Sequence, residues 1–136
     1  MRIKYKYKVV KRKTRMSAMI NGNSKYARRY LDGEKVYAHE NSLGILLFET
    51  LEAADEWTSY WNEMGESQGE PQVDLIILKV IPIGRGKRIE WVSSRIDTEA
   101  LDYFYSNKET TSMVQQSPRR TMAYPGVEVI GEYMWK

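Results

Sequence analysis

The chain has no cysteine, a single histidine (His39), two phenylalanines and four prolines among 136 residues. Without cysteine there are no disulfides and no thiolate metal ligands, and one histidine cannot build a histidine-rich metal site. No cofactor is expected. No apolar run approaches the roughly 20 residues that a membrane helix needs. The N-terminus is charged from Arg2 onward and lacks the apolar core of a signal peptide. These absences point to a cytoplasmic protein with no membrane partner. Internal repeats and low-complexity tracts are also missing.

Acid is absent from one region. Residues 1–15 hold eight basic groups (Arg2, Lys4, Lys6, Lys8, Lys11, Arg12, Lys13, Arg15) and no Asp or Glu. With these set aside, 13 basic residues face 18 acidic ones, so a net charge of +3 hides a mildly acidic body. Such an asymmetry suits an anionic partner or the protein's own acidic face. Hydrophobic residues at 42% and charged residues at 29% are globular proportions, and the length fits one domain over 1–136.

Ile3, Tyr5, Tyr7 and Val9 alternate with Arg2, Lys4, Lys6 and Lys8, the period of a half-buried strand. Residues 15–20 read as a second short strand, "NGNS" at 21–24 as a turn, Asp32-Gly33 as another turn and 35–38 as a strand. "LGILLFET" (43–50) is apolar on both faces, as a central strand is. Thr50 can cap a helix whose apolar stripe is Leu51, Ala54, Trp57 or Thr58, and Trp61, and which Gly65 ends. "VDLIILKVIPIG" (73–84) is a second apolar strand, stopped by Pro82 and Gly84. A second helix is expected over about 97–105, then a polar loop, read as mobile, at about 106–124. "GVEVIGEYMW" (126–135) is the last strand, with Val127, Val129 and Tyr133 in alternation. The order implies an α+β fold: a twisted, mainly antiparallel sheet with two helices packed on it.

"FETLEAADEW" (48–57), "LIILKVIPIG" (75–84) and "VEVIGEYMW" (127–135) resemble, in order and spacing, the rifampin-type ADP-ribosyltransferases over about a third of the chain. The resemblance implies an ADP-ribosyltransferase-like fold, and a glutamate near Glu128 that positions a ribose hydroxyl of NAD. Those enzymes carry a His-Gly-Thr type turn after the first strand, which this chain lacks, so a shared NAD site would have to be rebuilt. "SLGILLFET", "VIPIGRGK" and "YPGVEV" resemble segments of small phage and prophage proteins. That resemblance implies an accessory role, anti-defence among the options, with a host factor, a nucleic acid or a signalling nucleotide as partner.

Several groups of residues can carry chemistry. Lys4, Lys6 and Lys8 fall on one face of the first strand, joined by Lys11, Arg12, Lys13 and Arg15. They can meet phosphates, or they can guard an edge strand against aggregation. "PIGRGKR" places Arg85, Lys87 and Arg88 on a loop whose glycines allow close approach of a ligand, although it is not a Walker loop. Arg119 and Arg120 can clamp an anion from the long loop. His39, beside Glu40, and Glu128 are the acid–base candidates, each with a plain structural alternative. The leading expectation is a non-enzymatic protein that binds an anionic ligand through these cations. The alternatives are a divergent NAD-using transferase and an inhibitor that docks on an acidic host protein.

Overall fold

The computed structural model describes residues 4–17, 26–40, 42, 44–67, 74–89, 91–93, 114–116 and 121–133. Its elements are β1 (Lys6–Lys11), β2 (Lys35–Tyr37), β3 (Ile45–Phe48), α1 (Leu51–Ser67), β4 (Leu75–Ile83), β5 (Lys87–Arg88), β6 (Trp91–Ser93), β7 (Val114–Gln116), β8 (Thr121–Tyr124) and β9 (Gly126–Glu132). Seven strands form one antiparallel sheet in the order β2-β9-β4-β1-β3-β8-β5, and β6 and β7 pair as a separate ribbon. The α+β expectation holds with one helix among the described residues. The second expected helix, at 97–105, falls outside them. Within the stretch expected to be a mobile loop, residues 114–116 and 121–124 are strands.

β8 and β9 are one run of chain bent at Pro125. Its first half pairs with β3 and its second half with β4, and both of those strands flank β1. The ring β9–β4–β1–β3–β8 therefore closes through the chain itself. The opposite ribbon, β4 to β5, bends at the same level. Gly84 takes φ +86° there, and a Cβ on Gly86 would lie 2.6 Å from the Tyr124 ring. Only glycine leaves Tyr124 room to lie against this corner.

The closed face is filled by β-branched and leucine side chains. Val10, Leu78, Val80, Val127 and Val129 are all fully buried. Each contributes about 1.5–3 kcal/mol by leaving water. The outer face carries a second cluster, Val9, Phe48, Leu75 and Ile77, covered by Ala53 and Ala54 of α1. The Trp57 ring lies 5.7 Å from that of Phe48.

Two expectations about strands change. β1 is not an edge strand; it lies between β4 and β3 and is covered on both faces. Its register opposes Lys6 to Val80, Lys8 to Leu78 and Val10 to Ile76, so the lysine face points into the ring. Tyr7 and Val9 take the helix side. Pro82 does not stop β4, because it pairs with Val127 within the ladder. β1 has already ended opposite Val80, so β4 has a neighbour on one side only there, where proline is tolerated.

A bulge in β9 changes which way its end faces. Val80 opposes Val129 but Lys79 opposes Gly131, leaving Ile130 as the extra residue, 43% exposed. The period of two is reset, and Tyr133 joins the helix-side cluster with its ring edge-on to Tyr7 at 6.3 Å.

The helix begins as its sequence dictates. The Thr50 hydroxyl accepts the Ala53 amide at 3.2 Å, and Glu52 sits in the positive first turn. It runs two residues past Gly65, to Ser67. Thr50→Ala should lower stability by about 1 kcal/mol in chemical denaturation; an unchanged midpoint would remove the cap from the account.

Candidate functional site

The basic N-terminal residues do not form a common surface. β1 spans six residues, roughly 17 Å at strand rise. Lys4 and Lys6 lie at one end and Lys11, Arg12, Lys13 and Arg15 at the other. At the first end Lys6 reaches Glu49 at 3.9 Å. At the second, Arg12 bridges Asp74 at 2.8 Å and Glu132 at 3.3 Å, and Arg15 pairs with Asp32 at 3.2 Å. Much of the basic charge is thus answered by the protein's own acids. These pairs are mostly exposed, so each contributes little to stability, but they hold the cations against the body. Lys4 and Lys13 stay exposed and Lys11 is half-buried.

The glycine-flanked ribbon behaves differently. Arg85, Lys87 and Arg88 are all exposed. Lys87 opposes Ala123 and Arg88 opposes Met122 on β8, and β5 is the outermost strand on that side of the sheet. Arg85 and Arg88 have no ion pair among the described residues. Arg119 and Arg120 lie outside the described residues.

Glu128 and His39, the two acid–base candidates, are not brought together in one pocket. Glu128 opposes Lys35 on the face of β9 turned away from the buried Val127 and Val129. His39 is exposed, with its ring edge-on to Tyr26 at 5.6 Å, and it lines a small pocket that does not include Glu128.

That pocket holds the least expected group in the protein. Its floor is Lys8, only 7% exposed, and its walls include Ser17, Tyr26, Tyr30, His39 and Ser42. The Lys8 ammonium donates to the Leu46 carbonyl at 3.0 Å and stands 5.4 Å from the Tyr30 ring centre. Ser17 donates to the Tyr30 hydroxyl at 3.4 Å. Among the described residues no carboxylate lines the pocket. Burial therefore acts unopposed, and it pulls the Lys8 pKa down to about 8. Burial also pushes the Tyr30 phenol up to about 12, against the opposing pull of the Ser17 hydrogen bond and the Arg28 charge. In the sequence Lys8 is one of several lysines in alternation. Nothing local distinguishes it, because its burial comes from strands 38 and 70 residues away.

No protein-family model, no curated protein and no solved structure matches the chain. Among the described residues no group of histidines and acids could hold a metal ion, and no helix is long and apolar enough to cross a membrane.

The Lys8 pKa makes a prediction about stability. Its folded value lies below the ordinary 10.5, so between about pH 8 and 10 the unfolded chain binds more protons. Stability contributed by Lys8 therefore rises with pH through that window, by about 3 kcal/mol in all. Lys8→Met should flatten the rise in denaturant midpoint between pH 8 and 9.5, below the ionisation of most tyrosines. Parallel curves for the two proteins would show that Lys8 is not a buried cation.

Proposed function

We propose that this is a non-enzymatic accessory protein that binds a phosphate-bearing ligand, a nucleic acid or a nucleotide, on the ribbon Arg85–Gly86–Lys87–Arg88. The observation that carries the reading is a contrast between two basic groups. Lys6, Arg12 and Arg15 are engaged with the protein's own carboxylates. Arg85 and Arg88 have no ion pair among the described residues and, with Lys87, are exposed along the turn that leads into the outermost strand, where Gly84 and Gly86 pack the backbone against Pro125 and Tyr124. Arginines on a glycine-flanked turn approach phosphate oxygens closely and bind them in forked geometry. Lys4 adds exposed charge, and Arg119 and Arg120 belong to the same set by charge.

Binding is favoured over transfer because Glu128 and His39 do not share a site. The phage-type role, anti-defence included, and the ADP-ribosyltransferase-like fold remain readings from resemblance.

Titration of a fluorescent single-stranded oligonucleotide tests the reading. Affinity should fall with salt at a logarithmic slope of about −2, as roughly three cations on single-stranded nucleic acid require. Arg85→Glu with Arg88→Glu should abolish binding, whereas Arg12→Gln should leave it within about twofold. No binding at low salt, to oligonucleotides or to nucleotides, rejects the proposal. Retention of a nuclease-treated acidic host protein by the same ribbon would replace the ligand class with a protein partner.

A further inference from the structure

Lys8 is a buried cation with no counter-ion among the described residues. An ammonium has three donors, and one is spent on Leu46 O at 3.0 Å. The Tyr30 ring supplies a weak electrostatic partner at 5.4 Å. Removing a charge from water at such a position is costly unless an opposite charge is supplied. The walls supply none, but they do supply hydroxyls: Ser17 and Tyr30, both buried and joined to each other, and Ser42. The interior of the pocket has room for about one water-sized group. Its rim carries His39 and Tyr26.

We infer that this pocket is a binding site for a single oxyanionic group, a phosphate or carboxylate, with one oxygen entering against the Lys8 ammonium and the Ser17 and Tyr30 hydroxyls. The space admits one oxygen and excludes a whole nucleotide, so the rest of any larger ligand lies outside, over the Tyr26 and His39 rings. The site is separate from the Arg85–Arg88 ribbon, which shares no residue with it. It does not depend on the ribbon binding anything. The titratable and charged groups facing Lys8 are Tyr26, Tyr30 and His39 from the pocket walls, with the Arg28 charge reaching Tyr30. Binding should weaken as pH rises past about 8, where Lys8 loses its proton.

The test uses the full chain with carbon-13-labelled lysine and follows the Lys8 Cε resonance. The probes are inorganic phosphate, acetate and AMP, at constant ionic strength in sodium chloride. The expected result is a saturable shift of that resonance and a rise of the Lys8 pKa by at least about one unit, which corresponds to a tenfold preference of the anion for the charged amine. In calorimetry, Lys8→Met should bind phosphate at least about tenfold more weakly, and Tyr30→Phe several-fold more weakly. If Lys8→Met does not fold, the resonance of the unmutated protein decides alone. A stronger response to AMP than to phosphate identifies the terminal group of a larger ligand, and an equal response identifies a free ion. The double variant Arg85→Glu, Arg88→Glu should keep the Lys8 response in full. Loss of the response in that variant, or an unmoved Lys8 resonance at tens of millimolar of every probe, overturns the assignment.

Discussion

Closure of the sheet by residues 121–132 is the constraint on which everything else rests. One bent strand joins β3 to β4 and so leaves β1 with no free side. The bend has Pro125 on one ribbon, and on the other two glycines that leave room for it, Gly84 against Pro125 and Gly86 against the Tyr124 ring. Once the ring is closed, the N-terminal strand has no solvent face. Its lysines must be accommodated inside or carried out at its ends. Lys6 reaches the rim and meets Glu49, Val10 fills the interior, and Lys8 is left between them.

Lys8 therefore sits where a leucine would serve the core better. Its opposite number on β4, Leu78, is fully buried, and so are Val80 and Val10 on either side. Replacing an imperfectly compensated buried charge by an apolar group is often stabilising. A charge at such a position with no carboxylate beside it among the described residues fits a role other than stability. The hydroxyls gathered around it are the polar shell that a charge needs when its counter-ion comes from outside the chain.

The sequence made much of the sheet legible. Period-two alternation located β1, the apolar runs located β3 and β4, and the Asp32-Gly33 turn is present with Gly33 at φ +82°. Thr50 caps α1 as its position implied. The errors share one cause, which is that period counts the faces of a strand without saying what covers each face. Lys4, Lys6 and Lys8 read as one outward basic stripe because lysine is rarely buried, and only the long-range pairing with β4 and β3 turns that face inward. Tyr133 was expected on the same face as Val129. The bulge at Ile130 and Gly131 moves it to the other, a change that no alternation count registers. The exposed arginines of the 84–88 loop were readable from composition and glycine content alone. The Lys8 pocket was not, because its walls come from four separate stretches of chain.

The ring also sets an order of assembly. Residues 121–132 leave the ribosome after every strand they join, and Val127 pairs with Val36 about ninety positions earlier. Pairings at such separation are slow to form, because the loop between them must be closed before any contact rewards it. Until then Leu75–Ile83, the most apolar strand of the sheet, has β1 on one side and a bare ladder of amides and carbonyls on the other. An unpaired apolar edge of this kind is a template for other chains. The strand that completes the fold is also the one that ends the interval in which the growing chain is most prone to associate with its neighbours.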